Sequence, residues 1–480
     1  MEAPVADQPD VPVSDSSGID SETDAQTSRR GLLKVGLIAG AAVGVGGWRS
    51  SSTAGPLPAP NRSSLRKPGS LPYPDLKAGT NTIPKIEHIV VLMMENHSYD
   101  NRLGMLNRPG ADGFRIGKNG KPTATNPYAN GDIQHAFRMP TTCQNHSPSQ
   151  DWKNSHVQFA SGRLDGFVKS GSGATSMGYW QWADQPFYYS LAKQFPIADR
   201  YFCSLLGQTD PNRRFLMSAT SMGMVNDDLE MINEYPKNGT IFDRLDQHGR
   251  TWKTYYTTLS STALYLPLFE KNVGKKIVKI KNFFTDCAAG KLPNFSLVEP
   301  NYNKQSEENP QNIADGEQFA AQVINAVMSG PGWNKTLLIW TYDEHGGYYD
   351  HVKPPKAIAP DDIAPRVPRG QSKYEGFTRY GFRVPTAVVS PWARANYVSH
   401  QVFDHASICA LVEAKWNLPA MTFRDANANA MLDMLDLKQP SFEKPPVLAK
   451  PLLTTHPFKA AKCDKDGPGQ IPPPGSITKP

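Results

Sequence analysis

Two strongly apolar segments of the chain each end in side chains that suit a metal site. Glu95 and Asn96 directly follow one of these segments, and Asp343 and Glu344 directly follow another. Carboxylate and amide oxygens are good ligands for hard or borderline divalent cations. Where such segments form parallel strands, their carboxyl ends meet at the sheet edge at which ligands of α/β proteins gather. We therefore predict that these four side chains share one divalent cation, whose identity the sequence leaves open.

A threonine near the start of a predicted helix is the candidate nucleophile. In the segment 207–214, Pro211 fits the first helical position, and Thr209 or Asp210 fits the N-cap. The N–H groups and the positive dipole end of a helix N-terminus stabilise a phosphoryl group carried by that hydroxyl. Arg213 can hold two phosphate oxygens at once, which makes it a candidate catalytic residue. The alternative is that Thr209 only caps the helix.

Further ionisable side chains follow the second acidic pair in a loop that contains glycine. Gly346 and Gly347 allow a tight turn of the backbone, and Asp350 and His351 come directly after it. Such groups can act as further ligands, as residues that orient the ligands, or as an acid and a base. His351 is therefore a further candidate catalytic residue.

Buried strands that alternate with helices would position these residues. Apolar runs predict strands at 88–94, 336–342 and 384–390, and amphipathic patterns predict helices around 215–221, 319–328 and 405–416. This alternation indicates an α/β fold with a mainly parallel sheet.

Four motifs follow one another along the chain. They read Glu-Asn-His-Ser-Tyr-Asp at 95–100, Thr-Asp-Pro-Asn-Arg at 209–213, Asp-Glu-His-Gly-Gly-Tyr-Tyr-Asp-His at 343–351 and Arg-Val-Pro-Thr-Ala-Val-Val-Ser-Pro-Trp at 383–392. Over about residues 86–433 the chain resembles the bacterial phospholipase C and acid phosphatase phosphoesterase family, which includes the plant non-specific phospholipases C. The resemblance implies an alkaline-phosphatase-like α/β fold, with a mainly parallel central sheet flanked by helices.

The resemblance also implies metal-assisted hydrolysis of a phosphoester through a phosphothreonine. Glu95, Asn96, Asp343 and Glu344 match positions that ligate metal in the family, and Thr209 matches its nucleophile. A divalent metal would lower the pKa of the hydroxyl and neutralise charge on the transferred phosphoryl oxygens.

Histidines between the first two motifs protonate the leaving group in this family, which makes His146 and His156 the candidates here. The chain departs from the family pattern at Gln150 and at Asn309, since relatives often carry histidine at both positions. Asn309 cannot donate a proton, so it can only bind or orient. For His405 a catalytic role and a structural role at a helix start are both open.

The chain divides into four predicted segments. Residues 1–54 are a disordered leader with a twin-arginine export signal, in which Arg29 and Arg30 precede a short Gly/Ala-rich apolar stretch. Residues 55–83 are a linker, 84–437 form the phosphoesterase catalytic domain, and 438–480 are a Pro-rich tail. The apolar stretch is too short to span a bilayer. We therefore expect export by the twin-arginine route, to an extracellular, periplasmic or cell-wall location.

Composition and charge exclude some classes of protein. A hydrophobic content of 39% rules out a mainly disordered chain. The net charge of +6 comes without any block of basic residues, so we predict no nucleic-acid partner, whereas transient contact with a membrane surface is compatible with it. The five cysteines have no zinc-site spacing, and at least one stays unpaired in a monomer. Disulfide pairing and oligomeric state are left open.

The sequence thus predicts an exported, metal-dependent phosphoesterase that acts on phospholipid or another phosphoester, in the manner of a phospholipase C. One alternative is an acid phosphatase with the same machinery, because the leaving-group pocket cannot be read from the sequence. A second alternative is a non-catalytic protein that binds phosphate or a phospholipid headgroup. A sulfatase is disfavoured, because Thr209 cannot form the formylglycine aldehyde of those enzymes.

Overall fold

The computed structural model describes residues 65–453, 463, 465 and 467–480. The predicted leader, the twin-arginine signal and the first part of the linker lie outside the described residues.

The described residues form strands and helices that alternate through most of the chain. The strands are β1 (His88–Met94), β2 (Thr125–Pro127), β3 (Ile133–His135), β4 (Phe137–Arg138), β5 (Gly178–Tyr179), β6 (Ile197–Ala198), β7 (Trp252–Tyr256), β8 (Ile277–Lys279), β9 (Phe295–Val298), β10 (Thr336–Tyr342), β11 (Thr386–Val389), β12 (Val398–Ser399) and β13 (Ile477–Thr478). The α-helices are α1 (Tyr99–Leu103), α2 (Trp152–Phe159), α3 (Pro186–Gln194), α4 (Thr209–Ser218), α5 (Ile241–Gln247), α6 (Leu266–Asn272), α7 (Lys281–Ala288), α8 (Ile313–Ser329), α9 (His405–Trp416) and α10 (Phe423–Ala426).

The central sheet has eight strands in the order β12-β6-β11-β10-β1-β9-β7-β8. Neighbouring strands are parallel throughout, except that β11 runs antiparallel to both β10 and β6. Helix α8 packs on β1 and β10, while α4 packs against α9. The predicted α/β fold with a mainly parallel sheet flanked by helices is confirmed.

The two strands that carry the acidic motifs lie side by side at the centre of the sheet. Strand β1 pairs with β10 from His88 opposite Thr336 to Met94 opposite Tyr342, so both strands end at the same level. Both were predicted with these bounds, because a strand covered on both faces is apolar throughout. The register brings the acidic segments that follow them to one point of the sheet edge.

The helix that carries Thr209 differs from the prediction at its start. Helix α4 begins at Thr209 itself, its N-cap is Gln208, and Gln208 makes no side-chain capping bond. The expectation that Thr209 or Asp210 is the N-cap is therefore wrong. Pro211 lies in the first turn, where its missing N–H costs no helical hydrogen bond. The other two predicted helices are found, and α9 has the predicted bounds.

Segments outside the predicted catalytic core also contact it. Leu65 and Ile83 from the predicted linker are buried. In the predicted tail, Cys463 forms a disulfide with Cys143, and β13 pairs antiparallel with β3. The remaining cysteines, Cys203, Cys287 and Cys409, are free and buried. Within the residues described, no helix combines the length and the apolar character needed to cross a membrane.

Candidate active site

The candidate nucleophile and three of the candidate metal ligands form one chain of hydrogen bonds. The Thr209 hydroxyl donates to Asn96 Oδ1 over 3.0 Å. The Asn96 N–H donates to Asp343 Oδ1 over 3.1 Å, and the Glu344 N–H donates to the same oxygen over 2.7 Å. The structure therefore brings together residues that are far apart in sequence, at the edge of the sheet where they were expected.

Three carboxyl groups of this site are fully buried. Burial raises the pKa of Glu95 well above its ordinary value, against the opposing charge of Arg213. Burial, followed by the charge of Asp343, raises the pKa of Glu344 in the same way. Burial also raises the pKa of Asp343, although Arg213 opposes this shift. Each group is therefore poorly solvated as an anion and is stabilised by any added positive charge.

Arg213 is held by protein groups, rather than pointing freely into a cavity. Its Nε donates to Asp343 Oδ2 over 3.1 Å, its Nη2 donates to the Met94 carbonyl over 3.2 Å, and its Nη1 donates to the Tyr302 hydroxyl. Glu299 lies 3.7 Å from Nη1. These contacts make Arg213 an anchor for Asp343. They do not provide the expected binding of two phosphate oxygens by its guanidinium group.

The backbone turns tightly beneath the acidic residues. Asn96 and Gly346 both have positive φ, 65° and 64°, and the Gly346 N–H donates to Glu344 Oε2 over 2.7 Å. A Cβ atom at Gly346 would lie 1.8 Å from the Asn96 carbonyl oxygen. Only glycine allows the two motifs to approach this closely.

Two buried side chains that were not among the predicted site residues, His345 and Gln158, lie beside Glu344. His345 Nδ1 lies 3.0 Å from Glu344 Oε2, and its Nε2 lies 2.7 Å from Gln158 Oε1. The Gln158 amide group donates to the Ser149 carbonyl over 2.6 Å, which fixes the amide orientation and makes its oxygen the acceptor. His345 therefore carries its proton on Nε2, and Gln158 sets the ring orientation.

Two further acids lie next to the candidate nucleophile. The Asp210 N–H donates to Asp227 Oδ1 over 2.7 Å. Both carboxyl oxygens of Asp210 are buried and lack a hydrogen-bond partner within the described part of the chain. Burial, then the charge of Asp227, raises the pKa of Asp210 well above its ordinary value. Pro211 has no N–H and that of Asp210 is taken, so neither of these positions in the first turn of α4 offers a backbone donor to an anion.

The predicted catalytic histidines lie apart from this chain of hydrogen bonds. His156 Nδ1 lies 2.6 Å from the Trp152 carbonyl within α2, and its ring stacks on Tyr374 at 3.8 Å. Burial lowers the pKa of His156 to about 4, against that hydrogen bond. His156 is therefore neutral at neutral pH.

His351 lies in a separate cluster of charges. Its Nδ1 is 2.6 Å from Asp100 Oδ2, and its Nε2 is 3.2 Å from Asp112 Oδ1. Arg383 donates to Asp100 Oδ1 over 3.0 Å and to Asp350 Oδ1 over 2.9 Å. Burial lowers the pKa of His351, but the charge of Asp100 and the hydrogen bonds to Asp100 and Asp112 together outweigh it, and the pKa rises to about 10. Both ring protons of the cation are thus held by carboxylates.

The other candidate histidines differ in exposure. His146 is exposed, and its carbonyl accepts from Asn309 Nδ2 over 3.3 Å. His405 is fully buried, with Nδ1 on the Tyr201 hydroxyl and Nε2 3.3 Å from the Asp343 carbonyl. Burial lowers the pKa of His405 well below its ordinary value. These contacts favour the structural reading of His405 at the start of α9.

The donor set fits a divalent cation. Both carboxyl oxygens of Glu95 and Oε1 of Glu344 are buried without a hydrogen-bond partner among the described groups. Oxygens left in this state are costly unless a cation or a proton compensates them. No set of three His, Cys, Asp or Glu side chains within the described ranges is already arranged around one metal-sized centre. Binding of one cation by Glu95, Asp343 and Glu344 would therefore require their side chains to move.

Comparisons with known proteins agree with the motifs. A model described as the phosphoesterase family matches residues 86–419. The chain is 32% identical over 422 residues to non-specific phospholipase C1 of Arabidopsis thaliana. This match covers 79% of this chain and 76% of that protein. It is 29% identical over 439 residues to phospholipase C B of Mycobacterium tuberculosis, which covers 79% of this chain and 82% of that protein.

Among solved structures, a Vibrio parahaemolyticus protein of the alkaline phosphatase superfamily is similar with a TM-score of 0.39. It is 11% identical, and the match covers 74% of this chain and 72% of that chain.

Proposed function

Because the chain belongs to the phosphoesterase family, and is therefore a hydrolase that acts on phosphoester bonds, we propose that it cleaves phospholipid phosphodiesters as a phospholipase C. The relatives named phospholipase C support this choice of substrate. The observation that carries the proposal is the contact between the Thr209 hydroxyl and Asn96 inside a buried cluster of carboxyl groups. A hydroxyl that only capped a helix would instead bond to a backbone N–H of its own first turn.

In this mechanism the Thr209 oxygen, having lost its proton to water, attacks phosphorus as the bond to the diacylglycerol oxygen breaks. The headgroup phosphate stays on Thr209 as a phosphothreonine ester, which water then hydrolyses. Asn96 fixes the direction of the hydroxyl, because its own N–H is anchored on Asp343. Arg213 and two backbone N–H groups hold both oxygens of Asp343. The positive end of the α4 dipole favours negative charge on the phosphoryl group carried by its first residue.

Glu95, Asn96, Asp343 and Glu344 would hold a divalent cation, which when bound lowers the pKa of the Thr209 hydroxyl and neutralises charge on the phosphoryl oxygens. The unpartnered oxygens of Glu95 and Glu344 support this assignment. The Gly346 N–H holds one oxygen of Glu344 over 2.7 Å, and the neutral ring of His345 lies beside that oxygen without a hydrogen bond to it within the described residues.

For protonation of the leaving group we propose His146. His156 is neutral at neutral pH and is tied to a helix carbonyl, so it has no proton to give. His351 keeps its proton between two aspartates. Of the three predicted histidines, His146 alone is exposed, and its ring forms no hydrogen bond within the described residues.

We further propose export by the twin-arginine route. The disulfide between Cys143 and Cys463 supports a location outside the cytoplasm, because such bonds persist in oxidising compartments. Arg29→Lys with Arg30→Lys should retain the protein in the cytoplasm. Normal export of that double variant would contradict the route.

The test of the function compares three substrates with the purified mature protein. We expect release of diacylglycerol from phosphatidylcholine and turnover of a soluble phosphodiester, both lost in chelator and restored by a divalent cation. A phosphomonoester should react much more slowly. Preference for the monoester would make the protein an acid phosphatase. Binding of phosphate without any turnover would make it a non-catalytic binding protein.

A further inference from the structure

A surface loop with closely spaced ends lies beside helix α2. Residues 365–376 leave the fold at Pro365 and return at Gly376, where a Cβ atom would lie 3.7 Å from the Pro365 ring. An excursion of this length with adjacent ends is an Ω-type loop, a class that is frequently functional. Inside it, Tyr374 is 45% exposed and has a positive φ of 42°.

The loop carries more positive than negative charge. It contains three basic residues and one acidic residue, a net charge of +2. Arg366 is paired with Glu234, whereas Arg369 and Lys373 are exposed and form no ion pair within the described residues. The loop therefore offers two cations to a partner of negative charge.

Helix α2 extends this surface. The ring of Tyr374 stacks on His156 at 3.8 Å, with an interplanar angle of 6°, which fixes the loop against the helix. On either side of His156 the helix exposes Lys153 and Val157, which are one helical turn apart. We define the basic loop surface as Lys153, Val157, Arg369, Lys373 and Tyr374, and it combines cations with apolar and aromatic groups.

A series of hydrogen-bonded residues connects this surface to the candidate active site. The Trp152 Nε1–H donates to the Ser372 carbonyl over 2.9 Å, and the Trp152 N–H donates to Asn226 Oδ1 over 2.8 Å. The residue after Asn226 is Asp227, which accepts from the N–H of Asp210. Asp210 adjoins Thr209, so only a few contacts separate the basic loop surface from the candidate nucleophile.

We propose that the basic loop surface docks the protein on an anionic phospholipid bilayer, an inference that rests on the proposed phospholipase function. Cations near an anionic membrane gain electrostatic attraction, and tyrosine and aliphatic side chains enter the headgroup region. The site itself is closed, since Thr209 is only 1% exposed. A bilayer held against the loop would lie only the contacts of Trp152, Asn226 and Asp227 away from the segment that carries Thr209.

The test uses sedimentation of the full chain with vesicles of phosphatidylcholine that contain about one third phosphatidylglycerol. Each cation near such a surface is worth about fivefold in partitioning, so Arg369→Ser with Lys373→Ser should weaken binding about 25-fold. About 1 M salt should abolish the difference, because it shortens the Debye length to about 3 Å.

The matched control removes two exposed lysines near the amino ends of the strands, whereas the candidate active site lies at the carboxyl ends. Lys275 and Lys291 precede β8 and β9 and so lie at the amino ends of parallel strands, away from the site. Lys275→Ser with Lys291→Ser should leave vesicle binding within about twofold of the parent. Equal losses in both double variants, unchanged binding in the loop variant, or no binding by the parent protein would each overturn the docking surface.

A soluble phosphodiester separates docking from catalysis. The loop variant should hydrolyse it at the rate of the parent protein and lose activity only on vesicles. If the parent protein binds vesicles through the loop but hydrolyses neither substrate, the proposed function fails and the docking surface stands. If the loop variant loses activity on the soluble substrate as severely as on vesicles, the loop serves the active site, and the docking proposal is overturned.

Discussion

Replacing Thr209 separates the proposed covalent mechanism from any structural role of helix α4. Valine has the shape of threonine without its hydroxyl, so Thr209→Val keeps the packing of a side chain that is 1% exposed. Within the described residues the hydroxyl makes one hydrogen bond, 3.0 Å to Asn96 Oδ1, and the N-cap of the helix is Gln208. The substitution therefore removes one buried hydrogen bond and the nucleophile, but no cap.

The two roles predict effects of very different size. Loss of the hydrogen bond leaves Asn96 Oδ1 buried without its donor, which lowers the free energy of unfolding by about 1–3 kcal/mol. Loss of a nucleophile should lower kcat at least about 10,000-fold, equivalent to about 5.5 kcal/mol of barrier. Thr209→Ser is the matched control: it keeps the hydroxyl, loses one buried methyl group worth about 1 kcal/mol, and should retain measurable turnover.

Thermal unfolding measures the first effect, and acid-quenched single turnovers measure the second. With phosphatidylcholine as the substrate, the peptide that contains residue 209 should gain about 165 Da in the parent protein and in Thr209→Ser, because the phosphocholine group stays on the hydroxyl oxygen when diacylglycerol leaves. Turnover by Thr209→Val within about tenfold of the parent rate, together with no mass gain in the parent protein, would refute the covalent mechanism. The attacking group would then be water.

Three further predictions follow from the geometry. His146→Gln should lower the rate about 100-fold or more on a lipid, whose alkoxide is a poor leaving group, but only a few-fold on a p-nitrophenyl ester. His156→Gln should change the rates on the two substrates by the same factor. If His156→Gln shows the large difference between substrates and His146→Gln does not, the acid is His156. Gly346→Ala should lower the free energy of unfolding by at least about 2 kcal/mol, measured by chemical unfolding, and should abolish activity. The reason is that the new Cβ would lie 1.8 Å from the Asn96 carbonyl oxygen, at a residue whose backbone has a positive φ. A variant as stable as the parent protein would contradict the close approach. Because the pKa of His351 rises from an ordinary 6.5 to about 10 in the folded state, the stabilisation from its charge is complete below about pH 6.5 and is lost as the pH rises through about 10. His351→Gln should therefore flatten the fall of Tm over that range, and a pH profile of Tm parallel to that of the parent protein would rule this out.

The sequence predicts the framework of the site well, because the framework depends on local pattern. Strands β1 and β10 are apolar throughout, so their bounds and the acids that follow them are visible in the residues alone. The close approach of Asn96 to Gly346 agrees with the expected turn. The start of α4 was misplaced because proline is common at the first helical position, whereas here Pro211 occupies the third.

The supporting residues could not be found in the same way. Gln158 and His345 are 187 positions apart, and no pattern in the chain connects them. Asp210 looks like an ordinary first-turn acid until its burial and its lack of partners are known. The one signal that pointed to it was its place beside Thr209 in the second motif.

Burial also decides which histidines can transfer a proton. Residue type does not distinguish the three candidate histidines. In the structure, His146 is exposed, His156 is desolvated and His351 lies between two aspartates. Desolvation lowers the pKa of a histidine and a carboxylate neighbour raises it. Both influences come from segments far along the chain, so residue type and spacing could not rank the three.

The balance of charge in the site explains why a protein would keep so many acids in its interior. Within the described chain, Arg213 is the cation in hydrogen-bond contact with Asp343, while Glu95 and Glu344 have carboxyl oxygens without any partner. One guanidinium cannot compensate three buried carboxylates, so without a further cation the folded state must hold protons on some of them. A divalent cation would replace those protons, and its binding free energy would add to the stability of the fold. The acids therefore cost stability in the empty site, and binding of the proposed cation would recover that cost.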